Sequence, residues 1–152
     1  MDLQELSNLA TAIGAPVAIA ALFYTGWQLR RTRLIEQGRF MLELERMSEK
    51  HDPIHTRLRR SGDWHGSAGG PKTLQEWVAV DDYMGFFEHC ELLLKAGTLK
   101  TQAFKSLYGY RVENIAANPV LVRAKLIQEK EYWLEFLDLC KRLKIEPVET
   151  AG

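Results

Sequence analysis

The chain opens on an unbroken apolar run and continues in amphipathic ones. From Leu6 to Leu29 the order LSNLATAIGAPVAIAALFYTGWQL holds no charged side chain over twenty-four residues, and Arg30-Arg31-Thr32-Arg33 follows at once. About 20 helical residues at about 1.5 Å each cross a hydrocarbon core of about 30 Å, so the run predicts a membrane-spanning helix. Beyond it, apolar residues recur three and four apart. Leu34, Ile35, Phe40, Met41, Leu42, Leu44 and Met47 form a wide apolar face, and Glu36, Arg39, Glu43 and Arg46 form the opposite stripe. That pattern predicts a stalk continuing the same helix to about Lys50. No stretch shows the period of two that a half-buried strand requires.

Asp52-Pro53 breaks the stalk and predicts a short second helix to about Arg60, with Asp capping and Pro in the first turn. Ser61 to Lys72, SGDWHGSAGGPK, reads as a mobile loop. Its glycines invite a phosphate-binding reading, but no Gly-Lys-Ser/Thr order follows and no strand precedes it. Thr73-Leu74-Gln75-Glu76 has capping-box order and starts a helix with Val80, Tyr83, Met84, Phe86, Phe87, Cys90, Leu93 and Leu94 on one face. Asp81, Glu88 and Lys95 recur every seven residues on the other face, and Gly97 is a natural stop. Thr101 can cap the next helix, with Phe104, Leu107, Tyr108, Val112 and Ile115 facing inward; so short a connection predicts antiparallel neighbours. Asn118-Pro119 ends it. A last helix from about Val120 to Leu143 would present Leu126, Ile127, Trp133, Leu134, Leu137 and Cys140, followed by a frayed tail from Ile145.

The flanks of the first run set its orientation. Asp2 and Glu5 precede it and the basic residues follow it, the reverse of a signal peptide. Basic residues stay on the cytoplasmic side, so the expectation is a single-pass anchor in the cell (inner) membrane, N-terminus outside and the C-terminal domain cytoplasmic. Tyr24 and Trp27 would lie at the inner headgroup level, with Arg30, Arg31 and Arg33 beside them. Ala10, Gly14 and Ala18 fall four apart, a spacing that lets two spanning helices approach closely and so predicts self-association. The competing reading makes this helix the core of a soluble oligomer. The organisation expected is thus an anchor over 1–29, a cytoplasmic helical domain over 30–145 and a tail over 146–152: an all-α chain whose transmembrane helix continues into a small bundle.

Charge and candidate chemistry narrow the functional classes. Lys plus Arg equals Asp plus Glu at 20 each, so the basic excess usual in nucleic-acid-binding domains is missing. The two cysteines, Cys90 and Cys140, lie fifty residues apart inside helical patterns and read as buried thiols in reducing surroundings. His51 and His55 are four apart, a metal-pair spacing, but Pro53 intervenes and no third ligand is evident; solvated histidines at a helix junction are the expectation. His89 and Cys90 are adjacent on a helix and so point about 100° apart, which denies them a nucleophile–base contact. Asp81, Asp82 and Glu88 read either as paired carboxylates or as a solvated face. Trp64, alone in the glycine-rich loop, reads as an exposed contact for a partner. No catalytic, metal or cofactor site is expected.

Together WQLRRTRL, the Phe86-Phe87-Glu88 helix through Leu93 and Gly97 to Leu99, and Leu107-Tyr108-Gly109 resemble an uncharacterised bacterial and phage family, domain of unknown function 4760. The resemblance implies a membrane-anchored helical domain and brings no activity with it. The function expected is a non-enzymatic interaction or sensing module whose partners are the bilayer and a protein or second copy, without nucleic acid or small-molecule substrate. The alternative is a membrane-disrupting or exclusion effector acting through oligomerised anchors.

Overall fold

The computed structural model describes the backbone of residues 3–66 and 69–148, and side chains from position 22 to 148 other than those at 33, 34, 37, 67 and 68. It is all-α, with no strand among the described residues. The chain divides into two compact units, Met1–Leu44 and Glu45–Gly152. Helix α1 runs Leu3–Glu49 without a break, as its periodicity predicts. Among the described residues no helix is long and apolar enough to cross a membrane; most of the expected span, positions 6–21, has its side chains outside those residues.

The second unit is a small bundle of α2 (Asp52–Leu58), α3 (Leu74–Lys95), α4 (Thr101–Ala116), the single turn α5 (Pro119–Leu121) and α6 (Leu134–Leu143). His51 takes the capping position of α2 without a side-chain cap, and Asp52 is its first residue. Thr73 and Glu76 form the expected reciprocal capping box of α3. Gly97, at φ +73°, stops α3: its N–H donates to Leu94 O at 3.1 Å and that of Thr98 to Leu93 O at 3.0 Å. Only glycine enters this left-handed conformation without strain.

Seven aromatic rings join these helices into one core. Tyr83 meets Phe87 (5.0 Å between centroids), Phe87 meets Phe86, Phe104 and Phe136, and Tyr108 meets both Phe86 and Phe104; His51 closes the group against Tyr83 and Phe86. The pairs Phe86–Tyr108 and Phe87–Phe104 run in opposite chain directions, as antiparallel α3 and α4 require. The principal neighbour of α3 is nevertheless α6. Glu91, fully buried on α3, receives the Arg142 guanidinium in a fork of 2.6–3.0 Å. Lys95 reaches Glu135 and Asp138, and Glu88 accepts the Phe136 N–H at the start of α6. The heptad stripe that read as a second, solvated face is therefore the seam for the C-terminal segment.

Two expectations fail in ways that share a cause. The segment from Val120 to Leu143 is not one helix: α5 passes into a π-helix (Val122–Gln128) and a 3₁₀ turn (Lys130–Tyr132) before α6. The wider π turn shifts the phase of everything after it. Ile127 and Leu134, expected inside, are exposed, and Phe136, Leu139 and Leu143 are buried in their place. The tail is also held as far as Val148, whose N–H donates to Ala116 O at 2.9 Å.

The glycine-rich segment is built into the bundle, which corrects its reading as a mobile loop. Trp64 is 1% exposed, so it is a core residue and not an exposed partner contact. The Arg57 guanidinium lies 3.8 Å from its ring centroid and also bridges Asp63 and Glu76. Asn118, fully buried, donates from Nδ2 to Trp64 O (2.6 Å) and Gly69 O (2.9 Å) and accepts the Leu121 N–H at Oδ1 (3.0 Å). Replacing Asn118 by Ala strands two carbonyls and removes the cap of α5. We expect it to lower unfolding free energy by roughly 2–4 kcal/mol in urea titration.

Candidate functional site

Besides the Glu91–Arg142 pair, two clusters of charged or titratable groups in packed surroundings stand out; one holds His51 and His55, the other Asp81, and both take different partners from those the sequence suggested. The first gathers at the α1–α2 junction. The kink at Asp52-Pro53 turns His51 and His55 inward, where they are 4% and 9% exposed, not solvated. Tyr83 Oη from α3 shares a hydrogen bond of 3.4 Å with His55 Nδ1, and Tyr110 from α4 meets the His55 ring edge-on at 5.3 Å. Arg111 donates to Asp52 at 3.0 Å and to Tyr110 Oη at 3.2 Å. His51 Nε2 is buried without a hydrogen-bond partner among the described residues.

Burial lowers both imidazole pKa values; Lys50 adds to the effect at His51 and Arg111 at His55. Burial also raises the Tyr83 phenol. All three groups are neutral near pH 7. Two histidines without a third ligand do not make a metal centre, and no group of three or more metal-binding side chains occurs among the described residues. The cluster acts as a joint between three helices whose only titratable change near neutrality is the charging of two rings.

The second place lies between the first turns of α3 and the π-helix. Lys125, with its side chain 8% exposed, sets its ammonium 2.8 Å from Asp81 Oδ1 and 2.8 Å from Glu129 Oε2. Trp77 and Trp133 present ring centroids to the same nitrogen at 5.3 and 5.9 Å. A groove of about 390 Å³ opens beside it, walled by Leu74, Trp77, Val78 and Ala124. Of this site only Asp81 stands out in the sequence, because the π turn that aims Lys125 at α3 is invisible to helical periodicity.

The remaining expectations are placed as follows. Asp81 is committed to Lys125 and Glu88 to the start of α6, about 10 Å apart along α3 at one rise per residue. They do not form an acid–base pair. His89 engages Gly85 O at 2.8 Å while Cys90 is buried on the other side. Cys90 and Cys140 are free buried thiols pushed up to about 12 by burial. Tyr24 and Trp27 are exposed with rings 6.1 Å apart, and Arg31 lies 5.7 Å over Trp27. The side chains of Ala10, Gly14, Ala18 and Arg33 lie outside the described residues. No family model, curated protein or solved structure matches the chain.

The histidine joint gives a pH dependence of known sign. The unfolded chain takes up protons at His51 and His55 near pH 6.5, while the folded chain resists until lower pH. Stability is therefore full above about pH 6.5 and declines as pH falls through the interval down to the folded values. Glu88, whose carboxyl is raised by burial, acts in the opposite sense, favouring the folded chain as pH falls. Melting temperature is expected to drop between pH 7.5 and 5.5, with a shallower slope in His55→Gln; equal slopes for the two proteins contradict the assignment.

Proposed function

We propose that the protein is a single-pass, membrane-anchored interaction or sensing module without enzymatic activity, its helical bundle on the cytoplasmic side. The observation that supports this reading is the surface of α1 just before its basic cluster. Leu22, Phe23, Tyr24, Trp27 and Leu29 are each more than half exposed. At about 100° per residue they point around well over half of the helix. A single partner helix covers only a stripe of about 100°, whereas lipid covers every side. The first turn after them carries Arg30 and Arg31, the flank that orients the bundle inward. The family resemblance points to the same arrangement.

Self-association through Ala10, Gly14 and Ala18 belongs to this proposal as the means by which two anchors would meet. The bundle would then be presented in pairs at the membrane surface. Absence of enzymatic activity rests on the geometry of the second unit. Asp81 and Glu88 on α3 have separate structural partners, and the histidine joint is closed by aromatic rings.

The test is fractionation of cells making the full chain. The protein is expected to pellet with membranes and to stay there through high salt and alkaline carbonate. Val17→Arg, at the middle of the uncharged run, adds about 2.5–3.5 kcal/mol to insertion and should move most of the protein to the supernatant. Release of the unaltered protein by carbonate contradicts the anchor.

A further inference from the structure

The groove beside Lys125 has a chemistry that its structural duties do not use up. Asp81 and Glu129 supply two carboxylates against one ammonium, so the cluster keeps one net negative charge, and both side chains remain partly exposed at 42% and 47%. Trp77 adds an indole face 5.3 Å from the cation position. Indole faces and carboxylates together are the means by which proteins hold ammonium groups, through cation–π attraction and direct charge pairing. Here Lys125 shows that the position accepts such a group.

The wall beyond that position is apolar. Leu74 is 76% exposed and Val78 51% exposed, both without cover, and Ala124 leaves room opposite them. An ion triad that served folding alone would have no use for an open apolar wall next to its unneutralised charge. A space of about 390 Å³ falls within the roughly 300–1,000 Å³ of small-ligand sites. The floor is formed by a π-helix, a rare element frequently found at functional sites.

We propose that this groove binds small organic ammonium compounds, with the cationic head between Trp77 and the Asp81 and Glu129 carboxylates and a short apolar body along Leu74 and Val78. Lys125 is the tethered competitor for that position. It holds the cage in shape when the site is empty and yields part of its carboxylate contact when a ligand enters. The site lies within the Glu45–Gly152 unit and does not depend on the membrane reading.

The test follows the indole N–H resonances of the full chain in detergent micelles during titration with tetramethylammonium chloride, with sodium chloride at equal ionic strength as control. A saturable shift of Trp77 with tetramethylammonium alone, and an unmoved Trp64, is the expected result. Lys125→Ala removes the competitor and is expected to tighten binding about tenfold, equivalent to about 1.4 kcal/mol. Asp81→Asn, at a half-exposed surface position, is expected to weaken it several-fold and serves if Lys125→Ala does not fold. A Trp77 shift that sodium chloride reproduces, or binding that Asp81→Asn and Trp77→Ala leave unchanged, overturns the proposal.

Discussion

One buried amide holds the bundle's irregular parts in place. Asn118 satisfies main-chain groups of Trp64, Gly69 and Leu121, residues that lie up to fifty-four positions away in sequence. Each of those groups is costly to bury without a partner, so the amide and the segment it binds must be ordered together. Once Ser61–Gly66 and Gly69–Lys72 are fixed, Trp64 fills the space between α2 and the α4–α5 corner. Arg57 can then stack on its ring while forking to Asp63 and Glu76. That fork, with the N–H groups of Lys72 and Thr73, holds the Glu76 carboxyl down at about 2. The start of α3 is thereby tied to α2, and the histidine joint beside it inherits its geometry.

The second constraint is charge inside the α3–α6 seam. Glu91 has no exposure and a complete Arg142 fork. Such a pair adds little net stability against apolar residues of the same shape, but loss of either partner leaves an uncompensated charge, at a cost of about 3–5 kcal/mol. It therefore fixes the register of α6 on α3 more than it strengthens the contact. The chain reaches that register through the π-helix and the 3₁₀ turn that precede α6. The π-helix also carries Lys125, whose ammonium lies 5.3 Å from the Trp77 ring centroid. The groove beside Lys125 arises at the same place, and its open apolar wall is what distinguishes it from a purely structural triad.

The long elements were legible because each is marked by local chemistry. The unbroken period of α1, the Thr73–Glu76 capping box, Gly97 and Asn118-Pro119 all act where they stand in the sequence. What was not legible depends on distant contacts. Glycines in Ser61–Lys72 signal mobility by composition, yet two of them permit close approach. A Cβ on Gly62 would lie 2.0 Å from Arg57 O, and one on Gly70 would lie 2.7 Å from the Val120 side chain. Trp64 and the two histidines were assigned to solvent for the same reason, since nothing local announces a fold-back. The phase of α6 was missed because a π turn has no sequence period of its own. Nothing local marks Glu91 for burial, and only Arg142, fifty-one residues on, makes it tolerable.

The glycine-rich segment, through Trp64 and Asn118, belongs to the cooperative unit formed by α2 to α6. Native-state hydrogen exchange at the Trp64 amide tests it most directly, because that N–H ties the segment to α2 by donating to Arg57 O at 2.9 Å. The account predicts that Trp64 exchanges only on global opening of the bundle, with the same opening free energy as Phe87 in the middle of α3. Exchange of Trp64 at the rate of an unstructured peptide, while Phe87 stays protected, would contradict it.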